Sequence, residues 1–102
     1  MKKLLAILPL ALATAALAVP RGVERKAVRI CQEHRAKAAI ADWAKGPCIS
    51  NGGDIDGYVI DVAHAPRRPA DDDPKNQCAA WRQGKVKHFV ELDESCKVIR
   101  SK

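Results

Sequence analysis

Two histidines and two arginines are the residues whose types and spacing could carry out acid–base chemistry. His64 and His88 each fall on the apolar-phase side of a predicted β-strand, so their imidazoles would approach one another if the strands were neighbours. With Arg67 and Arg68 close by, the set is similar to the His, Glu and Arg that small secreted ribonucleases use for phosphodiester cleavage. Glu91, the nearest carboxylate to His88, is out of phase with it and would point to the other face. We therefore treat a phosphodiester hydrolase with His64 and His88 as acid and base as the alternative hypothesis.

The irregular loop from His64 to Asp73 is the preferred binding surface. It contains two prolines, two arginines and three aspartates, and long irregular loops on rigid scaffolds often carry binding residues. Arg67 and Arg68 would contact an anionic ligand, and Phe89, on the polar side of its strand, could stack on a base or sugar ring. The leading hypothesis is thus a non-enzymatic exported binding or structural domain. Its partner would be an anionic extracellular or cell-envelope ligand, or another protein.

No metal site or cofactor is predicted. The segment 54–57 resembles a fragment of a calcium loop. Aligning Gly57 with the invariant glycine of an EF-hand puts Gly52 and Ala63 at the first and twelfth positions, which require acidic ligands. Nucleophile-elbow, zincin and phosphate-loop motifs are also absent from the sequence.

The first eighteen residues have the anatomy of a secretory signal peptide. Lys2 and Lys3 precede an apolar stretch over 4–17, and the segment 16–18 is a small-x-small cleavage site. The stretch is short for a membrane span, so a cleaved signal is preferred over an uncleaved anchor. The sequence predicts a secreted, periplasmic or pseudoperiplasmic protein, with no transmembrane segment in the mature chain.

Residues 19–102 are predicted to form one small, disulfide-stabilised domain. Loss of Lys2 and Lys3 leaves sixteen basic and twelve acidic side chains, a net charge of +4. This mild excess suits a cell-wall polymer, a nucleic acid or a lipid surface as a partner, and it suits ordinary solubility equally well.

Hydrophobic periodicity predicts an α+β fold with a long N-terminal helix over 22–45, where apolar residues recur at three- and four-residue steps. Gly46 and Pro47 end it. The remaining predicted elements are a loop over 48–57, a strand over 58–64, a short helix over 74–81, and strands over 86–92 and 96–101 that pair as a hairpin. The long helix would pack on a small, mostly antiparallel three-stranded sheet.

The four cysteines are expected to form two disulfides in an oxidising compartment. We prefer Cys31–Cys96, because Cys31 lies on the apolar helix face and Cys96 opens a strand, together with Cys48–Cys78, which would tie two loop regions. Cys31–Cys48 with Cys78–Cys96 stays open, since connectivity does not follow from spacing.

About half of the chain resembles an uncharacterised group of short exported archaeal and bacterial proteins. The resemblance rests on Gly46-Pro47-Cys48, on residues 59–67 (VIDVAHAPR), on Asn76-Gln77-Cys78, on Gly84 and on His88-Phe89-Val90-Glu91. It implies no activity, cofactor or partner, but it adds support for a Cys48–Cys78 disulfide because both cysteines belong to the pattern. Cys31 lies outside it, and Cys96 stands where such a hairpin often has glycine.

Overall fold

The computed structural model describes residues 19–102, so the predicted signal peptide lies outside the described residues. The helices are α1 (Arg21–Lys37), α2 (Ile40–Trp43) and α3 (Ala79–Arg82), and the strands are β1 (Cys48–Ile55), β2 (Tyr58–Val62), β3 (His88–Leu92) and β4 (Val98–Ser101). The fold is α+β, with one long helix against a four-stranded sheet. Within the described residues, no helix combines the length and apolar character that a membrane crossing requires.

The long helix is shorter than predicted, because the chain becomes extended at Ala38 and Ala39 before α2 begins. Trp43 is buried and its Nε1 donates a hydrogen bond of 2.9 Å to the carbonyl oxygen of Glu94. The break lets Trp43 reach this tertiary contact, which the local periodicity did not indicate.

The sheet has four strands in the order β1-β2-β3-β4, and the prediction of three strands was wrong. The missed strand is β1, which pairs with β2 across the segment predicted as loop. The pairing register of β1 with β2 shifts between Asn51 and Ile55. The two glycines between these residues, which are typical of turns, therefore lie in an irregular part of the strand. The pairs β1–β2 and β3–β4 are antiparallel, whereas β2 and β3 are parallel.

A parallel β2–β3 pair requires a crossover connection, and residues 63–87 form it. The crossover contains two 3₁₀ turns, Pro69–Asp72 and Pro74–Asn76, followed by α3. The single short helix predicted over 74–81 is therefore divided into a turn and a helix. The crossover places Cys78 and Ala80 against Val59, on the face of the sheet opposite α1.

Alternation along the strands separates two apolar layers. Ile60, Val62, Val90 and Leu92 are at most 1% exposed and pack beneath α1. The alternate, odd-numbered residues of β2 and β3 face the crossover. The apolar layer on that side is smaller, and polar side chains lie among its residues.

Two disulfides join these layers, Cys31–Cys96 and Cys48–Cys78, which is the preferred pairing of the sequence analysis. The first ties α1 to the β3–β4 turn, and the second ties β1 to the crossover. Cys96 has a φ of +64°, the left-handed conformation that glycine adopts most readily.

Candidate functional site

A cleft of about 390 Å³ lies between the sheet and the crossover, on the face opposite α1. Its polar wall carries three carboxyl groups and three guanidinium groups, and its apolar wall carries two aromatic rings. These side chains are Asp61, Arg67, Asp71, Trp81, Arg82, Phe89, Glu91 and Arg100.

Strand register brings the polar side chains together at the base of the cleft. Asp61 of β2 and Glu91 of β3 are paired residues in the parallel ladder, and Arg100 of β4 is paired with Glu91. Because paired residues on neighbouring strands point to the same face, one row across three strands presents two carboxyls and a guanidinium to the crossover side.

Glu91 is the most enclosed member of this row, with a side chain only 7% exposed. The Nε of Arg100 donates a hydrogen bond of 2.9 Å to Glu91 Oε1, and the Nη1 of Arg67 lies 3.6 Å from Oε2. Asp61 is next to Glu91 in this row, and two carboxyl groups that share a hydrogen bond hold a proton between them.

The Asp61 carboxyl holds that proton over most of the physiological range. Burial raises the pKa of Asp61 from 3.8 to about 8, and the charge of Glu91 and the hydrogen bond to it act in the same direction. Arg67 and Arg100 oppose the shift without cancelling it. At neutral pH the pair therefore carries one negative charge, which the two arginines face.

Trp81 and Phe89 form the apolar wall. Their ring centroids are 5.1 Å apart with the planes at 80°, and the guanidinium carbon of Arg100 lies 5.9 Å from the Phe89 centroid. Trp81 remains 39% exposed. Arg82 follows Trp81 on the exposed side of α3 and makes no ion pair within residues 19–102.

The loop that supplies Arg67 is held by the buried carboxylate of Asp71. Its Oδ2 accepts hydrogen bonds from the backbone N–H groups of His64 (3.1 Å) and Arg68 (2.9 Å), and its Oδ1 contacts His64 Nδ1 at 2.8 Å. Burial alone raises the pKa of Asp71, but these hydrogen bonds and the His64 charge outweigh it, so the net pKa is lowered. Gly46, at φ +76°, packs so closely that a Cβ would lie 2.8 Å from the Val62 carbonyl oxygen.

The structure does not bring the two candidate catalytic histidines together. His88 is paired with Tyr58 at the start of β2, and their rings stack at 4.9 Å, whereas His64 lies beyond the end of β2. Parallel strands therefore put the imidazoles at opposite ends of the sheet. The His64 ring is 3% exposed, and its Nε2 is 3.0 Å from the Ala44 carbonyl oxygen, so neither ring nitrogen is free for a substrate.

Two of the three predicted ligand-binding residues, Arg67 and Phe89, line the cleft. Arg68 instead borders a separate shallow depression near His64 and Ser95. The pairing of Asp61 with Glu91 as a site was not predicted from the sequence. Alternation along each strand places one acidic residue, Asp61 or Glu91, on the face away from the main core. Alternation does not reveal that the two strands are parallel, and the pairing of the two carboxyl groups depends on that direction.

Asp61→Asn is expected to stabilise the protein at pH 8 by several kcal/mol, since each unit of pKa shift corresponds to about 1.4 kcal/mol, and to have little effect near pH 4. A raised carboxyl pKa means that the folded state binds a proton that the unfolded state releases between pH 4 and pH 8, so wild-type stability falls as pH rises through this window. Asparagine keeps a hydrogen-bond donor toward Glu91 and removes the titration.

Urea unfolding at several pH values measures this difference. Asp56→Asn, at an exposed position, is the matched control and should leave the pH dependence unchanged. An equal effect of Asp61→Asn at pH 4 and pH 8 would contradict a shared proton at this site.

Within residues 19–102, no three His, Cys, Asp or Glu side chains are grouped to hold a metal ion. The cleft presents carboxyl, guanidinium and aromatic groups. Comparisons with models of protein families, with curated proteins and with solved structures find nothing that matches this chain.

Proposed function

We propose that this protein is an exported binding domain whose cleft takes an acidic sugar unit, a ring that carries a carboxylate or another anionic group. The observation that carries the proposal is the half-exposed Trp81 ring on one cleft with the Arg82 guanidinium, which makes no ion pair with another part of residues 19–102. An aromatic face stacks on a flat ring, and a guanidinium binds a carboxylate through two parallel hydrogen bonds.

The charge balance of the cleft favours an anion. Arg67 and Arg100 are ion-paired with Glu91, and Arg67 also with Asp72, whereas Arg82 has no carboxylate partner among residues 19–102. The carboxylate of Asp71 is fully buried and engaged by His64. The exposed Arg82 guanidinium can therefore receive an anionic group of the ligand, and the oxygens of Asp61 can accept a hydrogen bond from a sugar hydroxyl.

Three features support binding in preference to hydrolysis. Asp61 and Glu91 are directly paired neighbours in the parallel ladder, whereas the two carboxyl groups of a glycosidase flank the scissile bond of the substrate. Both oxygens of Glu91 already contact guanidinium groups, Oε1 that of Arg100 and Oε2 that of Arg67. The alternative of phosphodiester cleavage by His64 and His88 has less support, because the rings lie at opposite ends of the sheet and His64 is enclosed.

Isothermal titration with a uronic-acid oligosaccharide tests the proposal. Trp81→Ala and Arg82→Ala should each weaken binding roughly tenfold or more, because stacking on an aromatic ring and a charge-assisted hydrogen bond contribute about 1–3 kcal/mol each. Arg68→Ala is the matched control, because it also removes one exposed guanidinium but does not line the cleft. Thermal unfolding of each variant verifies the fold.

A neutral oligosaccharide of the same length and a mononucleotide complete the design. Equal affinity for the neutral sugar would contradict the requirement for an anion, and preference for the mononucleotide would replace the sugar with a phosphate-bearing ring ligand. Failure of all three to bind, or wild-type affinity in both cleft variants, would reject the cleft as the site.

A further inference from the structure

The net positive charge of the domain belongs to one helix. Helix α1 contains six basic side chains and two acidic ones, Glu24 and Glu33, for a net charge of +4. The rest of residues 19–102 contains ten basic and ten acidic side chains and is neutral. The basic side chains of α1 are Arg21, Arg25, Lys26, Arg29, Arg35 and Lys37.

These side chains form an exposed basic face, defined here by the six residues just named. All six are exposed, while Ala27, Ile30 and Cys31 bury the opposite side of α1 against the sheet. Within the part of the chain that the structure describes, none of the six lies within 4 Å of a carboxylate as an ion pair. Since salt bridges do not neutralise this face, its field is directed to solvent.

An apolar protrusion follows at the end of the same helix. Ile40 is 89% exposed, the largest value among the large hydrophobic residues of the described chain. It is the first residue of α2, directly after the extended Ala38 and Ala39, with exposed alanines at 38, 39 and 41 around it. Ile40 and Arg35 border one shallow depression, so the apolar tip adjoins the basic face.

We propose that the basic face and Ile40 together bind the surface of an anionic lipid membrane. Anionic headgroups would neutralise the basic face, and Ile40 would enter the boundary with the acyl chains. A nucleic acid or an acidic polysaccharide could satisfy the charges but offers no apolar phase to an exposed isoleucine, so Ile40 favours the lipid. The surface lies across the sheet from the cleft, so this attachment goes beyond the proposed ligand binding and does not depend on it.

Sedimentation with vesicles tests the attachment. Vesicles of 30% phosphatidylglycerol in phosphatidylcholine are compared with phosphatidylcholine alone. Arg25→Glu/Arg29→Glu should weaken binding to the anionic vesicles at least 30-fold, because each basic residue near such a surface contributes about fivefold. Ile40→Ser should weaken it roughly fivefold without changing its salt dependence. Raising the ionic strength should release the wild type.

Lys85→Glu/Lys87→Glu is the matched control, because it makes the same change in net charge at exposed positions outside α1. It should retain most of the binding, and an equal loss would contradict a localised surface. All proteins are prepared with the same N-terminus, so a contribution from residues 1–18 is common to them. If the protein bound phosphatidylcholine vesicles as tightly as the anionic vesicles, the attachment would not be electrostatic and the proposal would be rejected. If Ile40→Ser bound as tightly as the wild type, a membrane would be rejected as the partner and a soluble polyanion would replace it.

Discussion

Removal of the Cys31–Cys96 disulfide by Cys31→Ala/Cys96→Ala is expected to destabilise the oxidised protein by about 4 kcal/mol. The two cysteines are 65 residues apart, and in the chain-entropy model a loop of this length restricts the unfolded state by that amount. Both positions are almost fully buried, so alanine fills the sites without introducing a polar group. Such a loss is a large part of the stability of a domain of this size. Urea unfolding followed by tryptophan fluorescence measures it.

A second double variant, Cys31→Ala/Cys96→Gly, separates the cross-link from the backbone conformation. Cys96 closes the β3–β4 turn, where its N–H donates to the Asp93 carbonyl oxygen at 2.9 Å, and its φ is +64°. A residue with a Cβ in this conformation costs about 1–2 kcal/mol relative to glycine. The glycine variant should therefore be about 1 kcal/mol more stable than the alanine variant. If the two double variants were equally stable, the cost of a Cβ at position 96 would be contradicted. If both lost less than about 1 kcal/mol relative to the wild type, the stabilisation by the disulfide would be contradicted.

Asp71→Asn is expected to destabilise the protein by about 3 kcal/mol at neutral pH. The wild-type carboxylate is fully buried and accepts hydrogen bonds from two backbone N–H groups while contacting the His64 ring. Both backbone N–H groups donate to Oδ2, which the amide oxygen can replace, but the amide NH2 then faces His64 Nδ1 in place of a carboxylate oxygen, and the charge opposite His64 disappears. Chemical unfolding at pH 7 measures the loss.

The adjacent residue provides a matched control for that prediction. Asp72 is exposed and pairs only with the half-exposed Arg67, so Asp72→Asn should cost less than about 1 kcal/mol. A similar loss in both variants would show that the acidic segment acts through its general charge and that the buried network at Asp71 has no special role.

The acid limb of the stability curve gives an independent measurement of the Asp71 network. Because the folded pKa of Asp71 is lowered, its contribution is fully present above the ordinary aspartate pKa of about 3.9 and is lost as pH falls through the lower folded value. The wild type should lose this stability below about pH 4. Asp71→Asn should show a flatter acid limb, and an unchanged limb would contradict the assignment.

Local pattern was sufficient for much of the scaffold. The three- and four-residue spacing of Ala27, Ile30 and Cys31 correctly identified the buried side of α1. Alternation assigned the phase of β2 and β3, so that Val59 and Asp61 face away from the residues packed beneath α1. These features follow from periods of 3.6 and 2 residues and need no knowledge of distant contacts.

Three elements were decided by distant contacts. β1 was missed because its glycines are typical of turns, yet pairing with β2 accommodates them in an irregular register. The predicted long helix ends early because Trp43 is buried against the turn that contains Glu94. The parallel β2–β3 pairing is set by the crossover over residues 63–87, and no local pattern in either strand specifies the direction of its neighbour.

The sequence by itself determined the charge of α1, the phase of each predicted strand and the presence of arginines and an aromatic residue suited to an anionic ligand. Only the tertiary structure decided which of these groups meet. Parallel register placed Asp61 beside Glu91 and separated His64 from His88 by the length of the strands. Acid–base and binding properties depend on distances of a few ångströms and on burial, and both arise from packing between segments far apart in the chain.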